Sequence, residues 1–86
     1  MKIRKEIEKI TEGKNDIYIG VNRADIKIEQ STTYISVIED ENMLQIITDN
    51  TDYTIRKDNI NTHYSNDDTV TVEFNRYEKV VIRAIG

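Results

Sequence analysis

The stretch Ile17-Tyr18-Ile19-Gly20-Val21-Asn22-Arg23-Ala24-Asp25-Ile26-Lys27-Ile28 decides the fold. Aliphatic residues recur at every second position: Ile17, Ile19 and Val21, then Ala24, Ile26 and Ile28. A period of two sends alternate side chains to opposite faces of a strand. Asn22-Arg23 interrupts the alternation and is short enough to turn a hairpin. The same grammar continues downstream. Strands are expected from Thr33 to Ile38, Met43 to Thr48, Tyr53 to Arg56, Ile60 to Ser65, Val70 to Phe74 and Lys79 to Ile85. Between them lie Asn- and Asp-rich breaks, residues that hydrogen-bond their own backbone in turns. Turn signals arriving every eight to twelve residues are the pattern of an all-β meander, barrel or sandwich.

Upstream the period changes. Ile3, Ile7 and Ile10 fall at i, i+4 and i+7 on one stripe, and Gly13 offers the left-handed stop that ends many helices. Lys2–Glu6 and Arg4–Glu8 are spaced to pair on the solvent side. Lys2, Arg4 and Lys5 oppose the dipole at the start of this helix, which runs over about residues 2–12. The expected fold is therefore one α+β domain, mostly β, over residues 1–86. Its short N-terminal helix precedes about six or seven short antiparallel strands over 16–86, forming a small barrel or a strongly bent sheet.

Composition agrees. Fifteen Ile, six Val and nine Thr stand against one Leu and two Ala, which favours strands. A chain of 86 residues buries only about 60–65% of its unfolded surface, enough for one modest core. Three strands are apolar on both faces: Ile35 and Val37 back onto Tyr34 and Ile38, Leu44 and Ile46 onto Met43 and Ile47, Val80 and Ile82 onto Val81 and Ile85. One helix with three Ile cannot cover all of that. A homo-oligomer is one way to cover the rest, since open edges favour pairing with another copy.

Several chemistries are excluded by residue type. With no Cys there is no disulfide, thiolate metal site or thiol nucleophile. His63 is the single imidazole, flanked on its strand face by Asn61 and Ser65, and reads as a surface histidine. Ser31, Ser36 and Ser65 lie in no Gly-x-Ser-x-Gly context, and three glycines form no phosphate-cradling loop. The acids match no spaced cation-binding loop. We therefore expect a non-enzyme with no cofactor and no metal. The longest aliphatic run, Val80-Val81-Ile82, is far short of the roughly 20 residues that span a bilayer. A cytoplasmic protein without a membrane partner is expected.

Charge is uneven along the chain. Residues 31–56 hold five acids and one base, against seven bases and six acids in residues 1–30. An acidic middle third argues against direct DNA binding, which draws most of its affinity from basic contacts to phosphate. It suits a protein partner with a basic surface, because opposite charge speeds encounter. The protein-binding candidates are Glu39, Asp40, Glu41, Asp49 and Asp52. Tyr53 with Arg56, and Arg76 with Tyr77, are the tyrosines with a positive neighbour and the candidates for nucleotide or RNA contact.

Two resemblances follow from these residues. The end Val80-Val81-Ile82-Arg83-Ala84-Ile85-Gly86 is similar to the second motif of the Sm-like family, an aliphatic run leading to Arg-Gly. Here Ala84 replaces the glycine, and the family's first motif is not recognisable. That resemblance implies a small oligomeric barrel, and it carries no RNA site over to this chain. In size and composition the chain also resembles small accessory proteins of phages and mobile elements, including anti-CRISPR and other anti-defence inhibitors. The leading expectation is a non-catalytic regulatory or inhibitory protein acting through an acidic surface. The alternatives are an oligomeric Sm-like barrel binding RNA or a small nucleotide at a subunit interface, and a structural oligomer of a phage particle.

Overall fold

The computed structural model describes residues 2–86. One helix, α1 (Lys2–Thr11), precedes eight strands: β1 (Ile17–Arg23), β2 (Ile26–Thr32), β3 (Ile35–Glu39), β4 (Met43–Thr48), β5 (Asp52–Arg56), β6 (Ile60–Ser65), β7 (Thr69–Phe74) and β8 (Glu78–Ala84). A single 3₁₀ turn, Lys57–Asn59, joins β5 to β6. The mostly β, antiparallel architecture is the one the sequence implies. Each of the eight segments whose alternation reads as a strand overlaps one of these eight, against an expected total of about six or seven. The strands hydrogen-bond into two sheets, one of five in the order β2-β1-β8-β7-β6 and one of three in the order β3-β4-β5. Among the described residues no helix is long and apolar enough to cross a membrane.

Alternation builds the core. Ile17, Ile19 and Val21 of β1 face inward beside Val80 and Ile82 of β8 and Val70 and Val72 of β7, and Leu44 and Ile46 meet them from β4. Each such side chain contributes about 1.5–3 kcal/mol when fully buried. Ile3 and Ile7 of α1 close one end of this core, and the helix lies against β3, β7 and β8. β8 sits between β1 and β7, so its aliphatic run, the basis of the Sm-like likeness, is accounted for by a central strand with Val80 and Ile82 inside.

The helix reveals how its unfavourable start is tolerated. Its first turn has no acidic residue. The missing anion comes from β3: Glu39 is buried, and its Oε1 accepts the backbone N–H of Arg4 at 2.8 Å. A carboxylate there satisfies an orphan donor and sits at the positive end of the helix dipole. Arg4 pairs with Glu8 at 3.0 Å as the spacing suggests. Glu6 turns instead to His63 Nδ1 at 3.1 Å, tying α1 to β6. His63 is consequently half-buried, unlike its exposed neighbours Asn61 and Ser65. Gly13, at φ +73°, ends the helix in the conformation glycine tolerates best.

The first hairpin turns later than its sequence suggests. β1 continues through Asn22-Arg23, and the turn falls on Ala24-Asp25, with Ala24 at φ +53°. A turn at Asn22-Arg23 would have set Ile26 and Ile28 against the buried Ile19 and Ile17. The actual register sets Gln30 and Thr32 there and carries the isoleucines outward to Arg23 and Val21. The shift is even, so the faces are preserved and the period alone does not distinguish the two registers. Gln30 Nε2 donates to Thr48 Oγ1 at 3.0 Å, and Thr32 Oγ1 accepts the N–H of Asp49 at 3.2 Å. Both bonds pin the end of β2 to the β4–β5 turn.

Candidate functional site

The five candidate acids do not form one surface. Glu39 is inside, held by Arg4 N–H and by Lys57 Nζ. Burial pushes its carboxyl up, but the Lys57 ammonium and the Arg4 amide outweigh that and hold it below the usual glutamate range. Asp40 accepts the N–H groups of Asn42 at 2.7 Å and Met43 at 2.9 Å, which lower its pKa and fold the β3–β4 turn. Asp49 accepts the N–H and the hydroxyl of Thr33, each at 2.9 Å, stapling the β4–β5 turn to the β2–β3 corner and lowering its own pKa. Glu41 and Asp52 remain exposed. The six residues of β4 separate the 40–42 turn from Asp49 by roughly 17–20 Å. Three of the five carboxylates are thus engaged in building the fold, and the remaining two are far apart.

The structure brings a different set together. β5 runs beside the ends of β1, β8 and β7, and a cleft of about 190 Å³ opens between them. Val21, Ile55, Phe74 and Val80 supply its apolar lining, and Tyr53 packs there against the core. Its polar lining comes from Arg23, Asp52, Thr54, Arg56, Asn59 and Asn75. Arg76 and Tyr77 follow Asn75 in the β7–β8 turn, where Tyr77 is 86% exposed. Of the four residues singled out for nucleotide or RNA contact, Tyr53 and Arg56 line this cleft, whereas Arg76 and Tyr77 stand in the turn that follows its lining residue Asn75. Arg23 joins it from a strand remote in sequence, and Asn59 and Asn75 from the turns beside Arg56 and Arg76.

Its charges are balanced. Arg23 pairs with Glu78 at 3.6 Å and Arg56 with Asp58 at 3.4 Å. On the outward side of the small sheet, Arg56 stands opposite Met43 in register, and Met43 and Ile38 are 38% and 49% exposed. This is the uncovered second face that the doubly apolar strands imply. Arg83, the polar end of the Sm-like motif, lies elsewhere, on β8 beside Asp68 at 3.7 Å. Among the described residues no group of three or more His, Asp or Glu could hold a metal ion.

No known family model matches this chain, and neither a curated protein nor a solved structure is similar to it. The cleft and its rim are therefore read from their own chemistry. An apolar floor with arginine, asparagine and tyrosine beside it can bind a group and orient it by hydrogen bonds.

Proposed function

We propose that the protein is a non-catalytic binding module that recognises another protein through the β5 cleft and its arginine–tyrosine rim. The observation carrying this reading is that Tyr53, Arg56 and Arg23 line one apolar cleft, next to whose residue Asn75 the chain carries Arg76 and the exposed Tyr77. Size argues for the kind of guest. At about 190 Å³ the cleft is smaller than the roughly 300–1,000 Å³ typical of small-molecule and cofactor sites. It suits a single apolar side chain projecting from a partner. Charge argues the same way. Two of the three arginines are already paired with carboxylates, so the rim lacks the excess positive charge that phosphate contacts require. Tyrosine and arginine around a desolvated pocket are the usual anchors of protein interfaces.

This keeps the interaction class expected from the sequence and moves the contact from the acidic turns to the cleft along β5. Asp52, which lines the cleft, and Glu41, on the turn whose Asn42 carbonyl accepts Lys57 N–H at 2.8 Å, are the acids that remain available to a basic partner. The anti-defence reading rested on size and composition, and no residue of the cleft adds to it.

The test is affinity capture from a lysate of the source cells after nuclease treatment. Wild type should retain a protein partner in stoichiometric amount. The double variant Arg56→Glu, Tyr77→Ala should lose it, while Asp67→Ala at the far turn should keep it. Loss with Glu41→Lys alone would return the contact to the acidic turn. Retention that disappears on nuclease treatment would favour an RNA-binding module.

A further inference from the structure

β2 is an open edge. Its residues from Ile26 to Glu29 are exposed. Ile26 and Ile28, 62% and 46% exposed, lie on the core-facing side opposite Arg23 and Val21, where nothing among the described residues covers them. Natural edges are ordinarily blunted by a bulge, a proline or a covering element. β6, the other edge of the same sheet, carries a register shift between Ile60 and Thr62. Helix α1 packs beside β3, and the cleft runs along β5. β2 has no bulge, proline or cover, since its seven pairs with β1 run in unbroken register and the chain has no proline; its only guard is the charge of Lys27 and Glu29, which a second copy can neutralise.

The hairpin fixes which backbone groups are free. A two-residue turn at Ala24-Asp25 makes Arg23 and Ile26 its closing hydrogen-bonded pair. Alternation then directs the N–H and C=O of Ile26, Ile28 and Gln30 toward β1, and those of Lys27, Glu29 and Ser31 toward the open side. Any added strand must pair through these last three residues.

We propose that the added strand is β2 of a second copy of this chain, antiparallel about Ile28, joining two large sheets edge to edge. In that register Lys27 faces the partner's Glu29, and Glu29 faces the partner's Lys27. These are two opposite-charge cross-strand pairs related by the twofold axis. Ile28 meets the partner's Ile28 on the core side, where each is now uncovered. Charge selects this centre over its neighbours. Pairing about Lys27 sets lysine against lysine, and pairing about Glu29 sets glutamate against glutamate, both destabilising. Glu29 is already positioned for the contact, because the Tyr18 hydroxyl donates to it at 2.6 Å and Lys27 of the same strand stands 3.9 Å away. Antiparallel pairing points the two recognition clefts in opposite directions along the strands, giving a two-headed binder. The pairing itself does not rest on the cleft reading.

Sedimentation or light scattering over a concentration series tests it. Wild type should associate to a dimer. Lys27→Glu and Glu29→Lys should each weaken association by about tenfold or more, because both symmetric pairs become repulsive. An equimolar mixture of the two variants should recover association, since the like-charged row of one then faces the opposite row of the other. Recovery also shows that both variants are folded. A wild type that is monomeric throughout the series overturns the proposal. So do single variants that associate like wild type, and a mixture no better than its components.

Discussion

Replacing Glu39 by Gln changes little in shape and removes one negative charge from a buried position. In the folded chain that carboxylate holds Lys57 Nζ and accepts Arg4 N–H at 2.8 Å. A charge-assisted hydrogen bond contributes about 1.5–3 kcal/mol, and an anion at a helix N-terminus about 0.3–1 kcal/mol. The amide recovers part of this as an ordinary acceptor. Lys57, whose side chain is 24% exposed, can also turn toward water, which keeps the cost below that of orphaning a fully buried charge. The expected net loss is about 2 kcal/mol, a melting temperature lower by about 8–16 °C for a domain of this size.

The pH dependence has a definite sign. Glu39 is held below the ordinary glutamate range when folded, so the unfolded chain takes up the proton first as pH falls. The stabilisation is therefore full above the unfolded value of about 4.3 and is lost as pH drops through the lower folded value. Urea unfolding of wild type and Glu39→Gln, compared near neutral pH and again well below pH 4, reads this directly. The gap should be about 2 kcal/mol near neutrality and should close in acid. A variant as stable as wild type at neutral pH, or a gap unchanged in acid, would refute the assignment of Glu39 as the anion that caps α1.

Other consequences are smaller or more local. Ala24→Gly should raise stability by up to about 1 kcal/mol, because Ala24 holds a positive φ that costs a non-glycine residue roughly that much; a lower urea midpoint would contradict the observed turn. Asp49→Asn should lower the urea midpoint at neutral pH, and the difference should shrink in acid, since its carboxyl is held low by Thr33. Leu44→Ala should cost about 2–5 kcal/mol as a large-to-small change at a fully buried site, measured by thermal or urea unfolding.

Much of the fold is legible in the chain because burial on one face writes a period of two into β1, β7 and β8. The turn of the first hairpin is not, since a register shift by an even number of residues keeps every side chain on its face. What decides it is the bonding of Gln30 and Thr32 to a turn some twenty residues away. Glu39 reads as a surface acid because its neighbours Asp40 and Glu41 are turn acids. Its role depends on α1 arriving over β3, a contact between residues 35 apart. The cleft is half legible. Tyr53 and Arg56 stand out by type and neighbour, whereas Arg23, Phe74 and Asn75 join them only through the packing of β5 beside the larger sheet.

The most direct measurement places a photo-cross-linking residue at position 77, and separately at positions 41 and 67, in otherwise wild-type protein exposed to nuclease-treated lysate of the source cells. Recognition through the β5 cleft predicts one discrete protein adduct from position 77 that is absent from position 67 and suppressed by Arg56→Glu. An adduct formed from position 41 or 67 but not from 77 would contradict it, as would cross-linking from 77 that is indifferent to Arg56→Glu.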